Sequence, residues 1–384
     1  MGKKLTIIFY SILTVLTMAS CGQAPDASVS VKDTDISSML AYSHSMETVY
    51  AREFSVDYYE DGYALITISD GSRFLVVPEG KDIPEDLSKD VIPLKQPVEN
   101  IYLVASAVMD MFVSMDALDT IRFSALKPES WYIDEAREVM EEGDILYAGN
   151  YSAPDYERIV AENCGLAIEN TMIYHTPEVK EQLNKFGIPV LVDYSSYEAE
   201  PLGRTEWVKL YGLLTGKEEA AEAAFKAQAD AFTSVQGGEN TGKTVAFFYI
   251  TTNGEVNVRK SSDYLAKMIR LAGGDYIFKD LGEEEDTASS TMTMQMEEFY
   301  AAAMDADYII YNSTIEGELN SVEELLGKSL LLENFKAVQE GNVFCTTKNI
   351  YQSSMELGTI IADIHGMLSD QEDGLTYLYR LDEI

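Results

Sequence analysis

One run in this 384-residue chain has the spacing of a phosphate-binding loop: Gly237-Gly238-Glu239-Asn240-Thr241-Gly242-Lys243-Thr244 fits G-x-x-x-x-G-K-[ST]. Such a loop cradles phosphate only when it follows a strand and opens a helix, so that the helix N-terminal amides face the anion. Here it follows a helical run and enters the apolar stretch "VAFFYI" (245–250), so it reads as a linker turn. No G-x-S-x-G elbow occurs, and no Ser-His-Asp or Cys-His grouping stands out. The histidines, His44, His175 and His365, are scattered. A zinc or manganese site needs several nitrogens and carboxylates on one ion, so no metal site is expected. Cys164 and Cys345 lack CxxC spacing and read as buried free thiols.

With no catalytic grouping, an enzyme is not expected, and the informative side chains are those suited to holding a guest. The chain has 24 tyrosines. Tyr and Trp offer a flat apolar face with a polar tip, and Arg grips anionic oxygens through a fork of donors. Acidic residues outnumber basic ones 65 to 28, giving a formal charge of −37. That field repels phosphate backbones, which argues against a nucleic-acid partner. Against such a background, an Arg or Lys in a loop is informative.

The chain begins Met1-Gly2-Lys3-Lys4, followed by an apolar run from Leu5 to Met18 and the small residues Ala19-Ser20 before Cys21. Basic, then apolar, then small is the order of a secretory signal. The run is about 14 residues, short of the ~20 needed to span a bilayer as a helix. Met18-Ala19-Ser20-Cys21 resembles the lipobox of bacterial lipoproteins, with Met where Leu is usual. The resemblance implies cleavage of residues 1–20, acyl chains on Cys21, and anchoring to the outer face of the cytoplasmic membrane. The small and polar residues 21–37 suit a flexible tether.

From residue 53 alternating apolar residues are broken by Asp61-Gly62 and Asp70-Gly71, which predicts a three-stranded meander over 53–77 within an N-terminal extension, 38–98. Pro78, Pro84, Pro93 and Pro97 then punctuate an irregular link. Next, short apolar runs alternate with helical spacing: "IYLVA" (101–105), "DILYAG" (144–149), "LAIENTMIY" (166–174) and "GIPVLVDY" (187–194). That alternation argues for a parallel sheet covered on both faces. A long helix-forming run occupies 206–235, broken only around Thr215-Gly216, and a second strand-helix series starts at "KTVAFFYI" (243–250). The expected fold is α/β: two doubly wound lobes, 99–214 and 241–384, joined by a long rigid helix within 215–240. Ligands of open α/β sheets sit beyond the carboxyl ends of the strands, so facing lobes make a cleft.

Six segments carry a family resemblance. "ENIYLVASAVMDMFVSMDALDTI" (99–121), "APDYERIVAENCGLAI" (153–168), "LNKFGIPVLVD" (183–193), "LLTGKEEAAEAAFKA" (213–227), "SSDYLAKMIRLAGGDYIF" (261–278) and "FKAVQEGNVF" (335–344) follow one another as in the class III substrate-binding proteins of ATP-driven (ABC) importers. Cys164-Gly165 departs from the Pro-Asp that this family usually carries there. The resemblance implies a monomeric lipoprotein receptor, with no cofactor of its own, that hands a ferric siderophore to a permease. Haem or a corrinoid is the alternative cargo, with His175 as a potential axial ligand. It also implies permease docking through one acidic residue on each lobe, matched here by Glu157 and by Glu298, with Glu297 close behind. Cleft residues are expected in the loops after strands: Tyr151, His175 and Tyr194 in the first lobe, with Ser106, Asn150, Tyr197, Trp131, Tyr132 and Arg204, and Arg259, Tyr311, Lys348 and Tyr351 in the second, with Lys260 and Asn312.

Two acyl chains anchor a protein stably where one does so only marginally. Cys21→Ala is therefore expected to release the protein into the medium with ligand affinity unchanged, read by comparing membrane and soluble fractions. Retention of the variant on the membrane would refute the anchor.

Overall fold

The computed structural model describes residues 36–237, 240–282 and 290–382. Cys21 and residues 1–35 lie outside the described residues. The tether expected over 21–37 ends earlier than its expected boundary, since Ile36 is buried in a small apolar cluster with Leu65, Leu75 and Val91.

The N-terminal extension is a sheet of five strands in place of the three expected: β1 (Tyr42–Ser45), β2 (Phe54–Tyr59), β3 (Ala64–Ile68), β4 (Arg73–Val77) and β5 (Val91–Lys95), hydrogen-bonded in that order. The expected Asp-Gly turns join β2 to β3 and β3 to β4, and both glycines take positive φ, +85° at Gly62 and at Gly71. β5 runs parallel to β4 through the proline-punctuated link. Its Pro93 is tolerated because β5 is an edge strand, where a missing N–H breaks no ladder. The sheet is not a detached module. Its inner residues Phe54, Ile66, Phe74 and Val76 share one core with Ile101, Met111, Trp207 and Tyr211.

The first lobe follows: β6 (Ile101–Leu103), α1 (Met109–Ser114), β7 (Ile121–Ser124), α2 (Asp134–Glu142), β8 (Leu146–Tyr147), the short hairpin β9 (Gly149–Asn150) and β10 (Ala153–Pro154), α3 (Tyr156–Ala161), β11 (Ala167–Asn170), α4 (Pro177–Lys185) and β12 (Val190–Asp193). Five of these strands form a fully parallel sheet in the order β12-β11-β6-β7-β8. Asn170 pairs with Asp193, which sets the carboxyl ends of β11 and β12 side by side and brings the loops after them together.

The helix-forming run read over 206–235 divides at the expected break around Thr215-Gly216 into α6 (Val208–Thr215) and α7 (Glu218–Val235), with the short α5 (Pro201–Glu206) just ahead of it. Gly216, at φ +71°, ends α6 in the left-handed conformation that an L side chain avoids, and α7 folds back against α6. The second lobe comprises β13 (Thr244–Ile250), β14 (Val256–Arg259), α8 (Tyr264–Leu271), β15 (Asp275–Tyr276), β16 (Thr291–Met294), α9 (Met296–Ala303), β17 (Tyr308–Tyr311), α10 (Ser313–Glu316), α11 (Val322–Lys328), α12 (Lys336–Gln339), β18 (Val343–Thr346), α13 (Leu357–Leu368) and β19 (Leu378–Arg380). Its sheet runs β16-β14-β13-β17-β18-β19, with β15 also on β13; the central β13, β17 and β18 are parallel. Lys243 of the phosphate-loop spacing precedes a strand, and its Nζ donates to the Leu368 carbonyl at 2.9 Å and to the Tyr308 hydroxyl at 3.0 Å. The lysine fastens the start of β13, in keeping with a linker.

Two buried glutamates tie the extension to the helices. Glu206 accepts the amides of Val49, Tyr50 and Ala51 at 2.7–3.0 Å. Glu198 accepts those of Arg52 and Glu53, together with Trp207 Nε1 at 2.9 Å. A carboxylate surrounded by donors is a tolerable buried charge; one with none is not.

Glu169 of β11 is the contrasting case: it is fully buried, neither carboxyl oxygen has a hydrogen-bond partner among the described residues, and burial pushes its pKa up to about 8. It stays protonated in the fold while the unfolded chain ionises at the ordinary value of about 4.3. Its contribution to stability is complete below that value and is lost as pH rises through about 8. Relative to the parent, Glu169→Gln should therefore gain stability between pH 5 and pH 8, on the order of a few kcal/mol, measured by denaturant unfolding at each pH. A difference between the two proteins that does not change with pH would contradict the assignment.

Candidate functional site

A cleft of about 600 Å³ opens between the lobes. The first lobe contributes Thr171, Met172 and His175 from the 3-10 turn after β11, and Ser196, Tyr197, Glu198 and Ala199 from the loop after β12. Arg204 reaches in from α5. The opposite wall is Arg259 at the end of β14, Ser262, Asp263 and Tyr264 at the start of α8, Ser290, and Tyr351 from the loop after β18. On the first-lobe wall these residues come from loops after neighbouring parallel strands, where the sheet's own hydrogen bonding ends and backbone and side chains are free to face a guest.

Two guanidinium groups define its electrostatics. Arg204 donates through Nη2 to the Ser196 carbonyl at 2.6 Å and lies flat on Tyr264, its Cζ 3.9 Å from the ring centroid. Its Nε is buried and has no hydrogen-bond partner among the described residues. Arg259 donates to the Tyr351 hydroxyl, stacks on that ring at 4.7 Å and stands 3.7 Å from Asp263. Burial pushes the Asp263 carboxyl upward while Arg259 pulls it down, and burial lifts the Tyr264 hydroxyl to about 12. Asn312 stands behind Tyr351, its Nδ2 3.1 Å from the same hydroxyl. Forked donors on aromatic platforms are groups able to hold anionic oxygens and flat unsaturated surface.

Of the residues expected from sequence, His175, Arg204, Arg259 and Tyr351 line this cleft, as does Tyr197. Tyr194 sits just behind the wall, its ring 5.3 Å from that of Tyr197. Four expectations fall to burial, Lys260 and Asn312 among them. Trp131 is 1% exposed and spends its Nε1–H on Ser124 Oγ at 3.2 Å, inside the first lobe's core. Tyr311 is fully buried, packed edge-on against Phe248. Neither presents surface to a guest. Tyr132 and Lys348 meet one another across the lobes, the ammonium 5.9 Å from the ring, beside the bond from the Tyr132 amide to Gln352. Tyr151 packs half-buried on the first lobe, and Asn150 caps its own turn by accepting the Ser152 and Ala153 amides. Lys260 is buried. Glu157 on α3 and Glu298 on α9 are exposed, each in the first turn of its helix.

Sequence reasoning missed Met172, Asp263 and Tyr264. The last two had a signal: Asp263 caps α8 by accepting the Leu265 amide at 2.8 Å, and a cap just past a strand end is where an open sheet places its ligand. Among the described residues no group of three or more His, Cys, Asp or Glu is placed to hold a metal ion, and no helix is long and apolar enough to cross a membrane.

The two-lobed architecture has known counterparts. The periplasmic haem-binding protein HutB of Vibrio cholerae superposes with a TM-score of 0.54 at 16% identity, covering 69% of this chain and 98% of its own. The catecholate-siderophore binding protein VctP of the same organism gives 0.55 at 12%, covering 71% and 94%. At such identities the likeness speaks for the fold. A curated relative, an uncharacterized lipoprotein of Methanocaldococcus jannaschii, is 24% identical over 398 residues, covering 96% of this chain and 93% of its own length. The profile of one family, described as periplasmic binding protein, matches residues 124–350, more than half of the sequence and both walls of the cleft. A cleft between two α/β lobes joined through helices, within that match, means that the chain belongs to the periplasmic binding protein family, in its class III form.

Proposed function

We propose that this protein is the lipid-anchored receptor of an ABC importer and that its cargo is an anionic metal chelate, a ferric siderophore. Periplasmic binding proteins carry small ligands and deliver them to permeases; the cargo is read from this chain's own cleft. The observation that carries it is the pair Arg204 and Arg259 lining one cleft on tyrosine platforms, in a chain of formal charge −37. Two forked donors converging on one cleft suit a guest that brings several anionic oxygens. The lipoprotein relative supports an anchor at Cys21. Exposed Glu157 and Glu298, one on each lobe, suit docking onto basic residues of the permease. The protein acts as a monomer and performs no covalent chemistry.

A second reading, haem or a corrinoid as cargo, is favoured by one observation: His175 stands exposed on the cleft wall, available as an axial nitrogen.

Titration with a ferric catecholate, followed by quenching of intrinsic fluorescence, and with haemin or cobalamin, followed by absorbance, separates the two. For the siderophore, Arg204→Ala and Arg259→Ala should each weaken binding about tenfold or more, the loss of a charge-assisted contact, while His175→Ala does not. A shifted Soret or corrin spectrum that disappears in His175→Ala would transfer the assignment to the second reading.

Charge reversal at Glu157 and Glu298 together should leave ligand binding intact and abolish uptake into cells. Normal uptake by the double variant would exclude docking through these residues.

A further inference from the structure

The turn between β3 and β4 does not line the cleft, yet it touches the wall that does. Asp70 sits at its tip with its backbone open to solvent but its side chain only 12% exposed. Oδ1 is pinned by the Ser72 amide at 2.8 Å, which leaves Oδ2 to accept the Tyr174 hydroxyl at 2.9 Å, across 104 residues of sequence. Lys180 Nζ stands 4.0 Å from the same oxygen and 5.8 Å from the Tyr174 ring. Tyr174 in turn accepts from the Tyr194 hydroxyl at 2.8 Å, and the Tyr194 ring lies 5.3 Å from that of Tyr197.

The polarity of this chain of bonds is set at one end. An ionised carboxylate only accepts, so Tyr174 must donate to Asp70, and its oxygen is then left to accept from Tyr194. Bonds aligned head to tail in this way strengthen one another. Burial, followed by the bonds to Tyr194 and Asp70, pushes the Tyr174 hydroxyl far above its ordinary range, so the donor keeps its proton.

Each tyrosine belongs to a different cleft loop. Tyr174 sits in the turn that carries Met172 and His175, and Tyr194 leads directly into Ser196 and Tyr197. Ser196 also supplies the carbonyl that orients Arg204. These loops are short and their aromatic rings exposed, 45% at Tyr174 and 54% at Tyr197, so packing alone does little to hold them.

We propose that the hairpin tip of the accessory sheet is a working part of the ligand site: Asp70 is a positioning residue that, through Tyr174 and Tyr194, clamps both loops of the first-lobe wall in the geometry the ligand meets. The ligand side of this inference rests on the cleft being the cargo site; the mechanical side does not. An appendage whose inner face already shares the lobe's core thereby gains a second task, setting the shape of the recognition surface.

Amide hydrogen exchange of the ligand-free protein tests the clamp directly. Asp70→Ala and Tyr174→Phe should each speed exchange at both 171–175 and 194–199, with the melting temperature unchanged, and Asp70→Asn, which keeps an acceptor, should restore protection. For whichever probe the parent protein binds, ferric catecholate or haemin, Asp70→Ala should lower affinity about threefold to tenfold and Asp70→Asn should recover it. Faster exchange confined to 171–175, or an affinity that Asp70→Ala leaves unchanged, would overturn the proposal. If the parent binds neither probe, the cargo reading fails, and exchange at 194–199 alone decides for or against the clamp.

Discussion

The arrangement of the whole molecule depends on how closely α7 is gripped. It lies between α6 of the first lobe and α13 of the second, and on each side a glycine removes the side chain that would hold the helices apart. A Cβ at Gly212 would come within 2.5 Å of that of Ala221, and one at Gly358 within 2.1 Å of the Gln228 carbonyl oxygen. Neither separation is compatible with an L side chain unless the helices part. Gln228 then uses its buried side chain on α13, accepting the Thr359 amide at 3.2 Å. A joint of this kind is packed core, not a pair of strands free to flex. Closely packed helices move by small sliding shifts, which favours a cleft whose width changes little.

Where the width changes little, the chemistry of the walls is decisive. Each guanidinium is oriented before binding, Arg204 by the Ser196 carbonyl and the Tyr264 face, Arg259 by Asp263 and Tyr351. On the proposed reading, little side-chain entropy would remain to be lost on gripping a guest. The interlobe contacts at Gln352 and Ser354, with Ser130, Ala107 and Thr205 as partners, add polar stitching that resists opening.

Much of this was legible in the residues. Short apolar runs alternating with helical spacing are enough to specify parallel sheets, and loops after strands pointed to His175, Arg204, Arg259 and Tyr351. The failures have separate causes. Trp131 follows the turn after β7 and Tyr311 ends β17, but sequence position does not reveal which way a ring turns, and both rings turn inward. The strands β1 and β5 were hidden because neither has a clean alternation: β1 is polar, and β5 contains Pro93, tolerated only through its edge position. Continuity between accessory sheet and first lobe was invisible for a deeper reason. Besides the shared apolar core it rests on Glu198 and Glu206, which read as two more acids in an acidic chain until the backbone amides around them are seen.

Those two glutamates carry a consequence for how the chain assembles. The amides of residues 49–53 find their acceptors about 150 positions later, at Glu198 and Glu206. A chain emerging amino end first presents the apolar inner face of β2 to β4 well before α5 exists to receive it. The accessory sheet is thus made well before its full seat exists, and loop closure over that span slows the last part of its docking. For that interval its apolar inner face has only the early part of the first lobe to cover it.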